Sequence, residues 1–79
     1  MSVIYVLISC NIGSEKSVID DLKIISSVKD ILGVVGVYDI LIKLESDNSN
    51  ELKKIISSKI RKIQNIRTTV TLIVVESQV

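Results

Sequence analysis

The chain has 79 residues, 47% of them hydrophobic, no proline and a formal net charge of +1. One cysteine, no histidine and two tyrosines as the only aromatics exclude an intrachain disulfide framework, a His/Cys zinc site and any histidine-based catalysis. The length supports one domain, 1–79, and a charge so near zero excludes the strongly basic surface of a non-specific nucleic-acid binder.

Val3–Cys10 is rich in β-branched residues and reads as a strand, broken by Gly13. Ser14 then stands in N-cap position, where its hydroxyl can take an orphan amide. Val18, Ile19, Leu22 and Ile25 fall on one helical face, with Ile24 off that face. Val28–Val35, bracketed by Gly33 and Gly36, reads as a second strand with a bulge or bend. Val37–Glu45 is the clearest strand: Ile40, Ile42 and Leu44 point one way, and Asp39, Leu41, Lys43 and Glu45 the other. After a polar turn that Asn48 or Ser49 can cap, Leu52, Ile55, Ile56, Ile60 and Ile63 predict an amphipathic helix of about four turns. Asn65 follows where a left-handed C-cap commonly falls. Ile66–Glu76 is β-branched throughout and reads as the last strand.

The order β-α-β-β-α-β predicts an α+β, ferredoxin-like fold, with a four-stranded antiparallel sheet and two helices on one face. The sheet face away from the helices should then be polar. Instead Val3, Tyr5 and Leu7 alternate with Ile4, Val6 and Ile8, and Val70, Leu72 and Val74 with Ile73 and Val75. Apolar residues on both faces predict face-to-face dimerisation, with no stable monomer at micromolar concentration.

Two constellations carry possible chemistry. Gly36-Val37-Tyr38-Asp39 reads either as a plain hairpin turn, with Asp39 bonding local backbone, or as a set of exposed amides beside a carboxylate and a phenol. The second arrangement suits a zwitterion, its carboxylate on the amides and its ammonium on Asp39. Thr69 and Thr71 share a strand face, with Thr68 opposite; they are either strand formers or hydroxyls offered to a ligand at a subunit seam. Lys53, Lys54, Lys59, Arg61, Lys62 and Arg67 read as a solvated face, Cys10 as a small buried hydrophobe, and Asp20-Asp21 as an exposed pair without a partner base.

Gly36-Val37-Tyr38-Asp39-Ile40, Lys59-Ile60-Arg61-Lys62-Ile63 and Arg67-Thr68-Thr69-Val70-Thr71, in this order and spacing, resemble the effector-binding (RAM) domain of the Lrp/AsnC regulators. One departure is Asn65, where the family often has glycine; another is the absence of room for a helix-turn-helix. The resemblance implies a stand-alone, non-enzymatic, cytoplasmic module that senses an amino-acid effector through Gly36, Val37, Tyr38 and Asp39, with Thr69 and Thr71 as additions. It implies homodimers assembling to octamers or similar rings and acting on transcription through full-length Lrp/AsnC regulators. Direct DNA binding, membrane association, cofactor and metal are not expected. The alternatives are a structural assembly module without ligand and an ACT-like amino-acid-sensing regulatory subunit. An RNA-recognition domain shares the topology but needs aromatics on its central strands, and an acylphosphatase needs an arginine-bearing phosphate loop absent from Asn11-Ile12-Gly13-Ser14.

Overall fold

Strict alternation of burial along the first strand sets the architecture. In the computed structural model, which describes residues 2–73, β1 (Ser2–Cys10) buries Ile4, Val6, Ile8 and Cys10 and leaves Val3, Tyr5, Leu7 and Ser9 half-buried on the other face. β3 (Ile40–Ser46) repeats the pattern, burying Ile40, Ile42 and Leu44. β2 (Val28–Gly33) and β4 (Ile66–Ile73) complete a four-stranded sheet in the order β2-β3-β1-β4, antiparallel at every pairing. The predicted ferredoxin-like order is therefore the observed one.

Both helices cover the same sheet face. From α1 (Glu15–Lys23) come Val18 and Leu22, with Ile25 just beyond it. Leu52 and Ile55 come from α2 (Ser49–Ile55), and all join one core cluster with the buried faces of β1 and β3. Burying a side chain of this size contributes about 1.5–3 kcal/mol, so these residues, and not the polar loops, hold the domain together. Ile24 is left 82% exposed, as its off-face position in the helix predicts.

Local details depart from the sequence reading. Ser14 occupies the N-cap position of α1, but its hydroxyl makes no cap hydrogen bond, because its backbone (φ −103°, ψ 3°) is not in the extended conformation that aims the side chain at the first turn. Asn48 does cap α2: extended, it accepts from the amides of Asn50 (2.9 Å) and Glu51 (3.4 Å) through its side chain. The predicted four-turn helix is not uniform. It is α-helical to Ile55 and then widens into a π-helical segment, Ile56–Ile60, closed by the Arg61 amide donating to the Ile56 carbonyl at 3.0 Å. The reason lies in Ser57 and Ser58, whose hydroxyls donate back to the carbonyls of Lys53 and Lys54 and loosen the regular ladder there. Widening keeps Ile56 and Ile60 both buried. Asn65 takes the predicted left-handed conformation, φ +74°.

β2 ends at Gly33, not Val35, and β3 begins at Ile40, not Val37. The bulge falls between Val28 and Asp30, at the opposite end of β2 from the glycines. Val34–Asp39 is thus a six-residue loop instead of a tight hairpin, with Gly36 at φ +142°, a conformation side-chain-bearing residues rarely adopt. Of the predicted last strand, Val74, Val75 and Glu76 lie outside the described residues.

Candidate functional site

Antiparallel pairing gathers three loops at one end of the sheet, where β1 finishes and β3 and β4 begin: Asn11–Ser14, Val34–Asp39 and the turn ending at Asn65. The Asn11 amide donates to the Asn65 carbonyl at 2.8 Å, tying the first of these to the last. Asp39 ties the middle one down. Its amide donates to the Ile8 carbonyl (2.9 Å), its carbonyl accepts from the Val34 amide (2.9 Å), and its carboxylate Oδ2 accepts from the Cys10 amide (2.9 Å). The sequence reading allowed Asp39 a bond to local backbone; the partner is instead 29 residues away, on the central strand. A carboxylate has about four acceptor positions; the Cys10 amide takes one and the Cys10 thiol also bonds to it, which leaves positions open among the described residues. Among those residues the amides of Gly36, Val37 and Tyr38 give no hydrogen bond, so the loop presents free donors next to an anchored carboxylate.

Cys10 is 4% exposed and is the small buried hydrophobe expected of it. Burial pushes its thiol pKa above the ordinary 9.0, and the negative charges of Asp39 and Glu15 add to the rise. The folded state therefore favours the protonated thiol. Its contribution to stability is complete below the unfolded-state pKa and fades as pH climbs from there through the higher folded value. Native protein at pH 8 should react with a disulfide thiol reagent far more slowly than denatured protein; equal rates would contradict the buried thiol.

Thr69 and Thr71 pair with Ile8 and Val6 and so lie on the helix-side face of β4, with Thr68 opposite Ser9 on the other face. The predicted site residues thus fall into two groups. Gly36–Asp39 sits at the end of the sheet, while Thr71 lines a cavity of about 220 Å³ between β4 and the second helix. Ile4, Ile56 and Ile73 supply its apolar wall, and Lys53, Ser57 and Arg61 stand with Thr71 on its polar side. Lys53 and Arg61 are exposed, as the solvated-face reading of the sequence expects, and they also border this cavity. Their spacing with Ser57, every fourth residue, was the available signal that they share a side of the helix. Lys54, Lys59, Lys62 and Arg67 are exposed, as are Asp20 and Asp21. Among the described residues no group of three His, Cys, Asp or Glu could hold a metal ion, and no helix is long and apolar enough to cross a membrane.

A two-layer ferredoxin-like domain with a tethered, donor-rich loop has the form of a ligand-binding domain. The profile of the Lrp/AsnC ligand binding domain matches residues 3–79, and the chain belongs to that family. It is 42% identical over 60 residues to homocitrate synthase from Saccharolobus islandicus, an alignment covering 76% of this chain and 13% of that protein. The chain thus spans only a small fraction of the length of the curated relatives it matches. A hypothetical protein from Pyrococcus horikoshii is 32% identical, superposes with a TM-score of 0.88, and is matched over 94% of its length by 99% of this chain. Escherichia coli AsnC has the same fold (24% identity, TM-score 0.89), with 99% of this chain covering 53% of that one. So does a transcriptional regulator from Neisseria meningitidis solved as a complex with L-Met (11% identity, TM-score 0.77, 98% of this chain and 51% of that one).

Proposed function

We propose that this chain is a non-catalytic effector-binding module of the cytoplasm that recognises a free amino acid at the Gly36–Asp39 loop and passes that recognition on through self-association. The observation that carries the reading is the loop itself: amides of Gly36, Val37 and Tyr38 that pair with none of the described residues, beside a carboxylate held in place by the Cys10 amide. An amino-acid carboxylate would take the amides and its ammonium the open positions of Asp39, a charge-assisted pairing. Membership of a ligand-binding family and the L-Met complex of a regulator with the same fold support the choice of ligand class. Of the two threonines, Thr69 adds a hydroxyl on the helix side of the neighbouring edge strand, while Thr71 lines the separate cavity beside the second helix. The open sheet face would join two copies, pairs would assemble further into rings such as octamers, and the effector would favour one assembly by its differential affinity alone. DNA contact would come from a full-length family regulator and not from this module.

A second reading is favoured by the 42% identity to homocitrate synthases: the same effector-binding unit regulating a biosynthetic enzyme. Co-elution with a DNA-binding family member supports the first; co-elution with a synthase supports the second.

The test uses two substitutions of one residue, with the free L-amino acids as probes in calorimetry. Asp39→Ala should weaken the best-bound amino acid roughly 10- to 150-fold, the range for losing a hydrogen bond to a charged group. It should also lower the melting temperature, since the Cys10 amide loses its acceptor. Asp39→Asn keeps an oxygen for that amide but removes the charge, so affinity should fall while melting is largely held. An Asp39→Asn protein that binds like the wild type would end the assignment of the ammonium to this residue.

A further inference from the structure

We infer that the cavity between β4 and the second helix is a separate binding site for a small organic acid anion, one without an ammonium group. Among the described residues the lining includes two cations, Lys53 and Arg61, and no carboxylate. The described residues pair neither with an acidic side chain. The Ser57 hydroxyl donates to the carbonyls of Lys53 and Lys54, which leaves Thr71 as the hydroxyl free to meet a ligand. The lining also includes Ile56, buried, and Ile73, 59% exposed, apolar surface for an aliphatic body.

The cavity is bounded by the π-helical segment, since Ile56 and Ser57 open it and Arg61 closes it. A π-turn in a helix is an uncommon and strained arrangement, most often found where a site is built. Here it places an apolar and a cationic residue from one widened turn against the same cavity. Charge then decides the ligand class. A carboxylate between Lys53 and Arg61 gains charge-assisted hydrogen bonds. A zwitterion would bring its ammonium beside two positive charges, with no acid among the described lining residues to receive it. The cavity, about 220 Å³ and open to solvent, has room for a small ligand without setting a sharp upper size. A branched monocarboxylate of five carbons joins the required charge to an aliphatic body. None of Gly36–Asp39 lines the cavity, so this site stands or falls independently of the loop.

The experiment is a titration of methyl-labelled protein followed by NMR at Thr71, Ile56 and Ile73. The probes are sodium 3-methylbutanoate, valine as the same carbon skeleton bearing an ammonium, and sodium chloride at matched ionic strength. Saturable shifts are expected with 3-methylbutanoate alone. The double substitution Lys53→Gln, Arg61→Gln should weaken them by about tenfold or more, while Asp39→Asn leaves them unchanged. Absence of a saturable shift into the tens of millimolar, equal shifts from valine or chloride, or undiminished affinity in the double variant would each overturn the site. The amino-acid reading of the loop is decided by the Asp39 variants and is not touched by any of these outcomes.

Discussion

Leu7→Glu is expected to abolish self-association. Leu7 is at the centre of the open sheet face, paired with Leu41 on one side and Val70 on the other, with Tyr5, Leu72 and Leu32 around it. Leu32 is 56% exposed and Leu72 46%, in a face that lacks any cover from the helices. A second copy laid face to face would remove this apolar set from water, at about 25 cal/mol for each Å² buried. A carboxylate placed in the middle of such a contact loses its hydration with no cation opposite, a cost of several kcal/mol. That is a weakening of more than about a hundredfold. The nearest charges, Lys43 and Glu45, already face each other at 3.7 Å and do not offer a partner. Leu7 points away from the core, so any change in sedimentation reports on association and not on packing beneath the sheet. Wild-type protein sedimenting as a folded 8.7 kDa species, or Leu7→Glu sedimenting as the wild type does, would refute the face-to-face dimer.

The second large effect is in the core. Ile42 is fully buried and lies between Val6 and Ile31 on its two neighbouring strands. Ile42→Ala should cost about 2–5 kcal/mol, the transfer free energy of the lost methylenes plus the cavity they leave. A chain of this length is held by only about 4–12 kcal/mol in all, so much of the population should unfold at moderate temperature. Ile24→Ala removes the same atoms from a residue that is 82% exposed and should shift stability by no more than about 0.5 kcal/mol. Chemical denaturation of the two variants side by side checks the pair. Similar midpoints would mean that the helix-side layer is not where the stability resides.

The contrast between these two isoleucines was legible in the sequence, because period alone separates them. Ile42 belongs to an alternating run, and Ile24 breaks the helical spacing of Val18, Leu22 and Ile25. The same logic gave the element order, the sheet topology and the two-sided apolar character of β1. Where the sequence misled, the cause was a contact between distant residues or a competition within a few. Nothing near Asp39 in sequence reveals that its carboxylate receives the Cys10 amide. The widening at Ile56–Ile60 depends on two serine hydroxyls turning back on the helix, and apolar spacing does not register that. Val34–Val37 is apolar enough to be read as strand, but Val35 and Val37 are almost wholly exposed in the loop. Lys53 and Arg61 acquire an identity apart from the other basic residues only when β4 lies beside them.

The place of β1 in the sheet has a further consequence for how the chain is made. β1 is synthesised first, yet it lies between β3 and β4, and its outer edge stays unpaired until β4 arrives: Ile4 must wait for Ile73. Closing so long a separation is slow, because the entropy of the intervening chain is lost before any pairing rewards it. Throughout that interval the growing chain presents an apolar strand with an open edge, the geometry by which strands of separate chains pair with one another. Aggregation of partly folded chains is therefore expected to start at the β4-facing edge of β1, and pairing of β4 there is the protection against it.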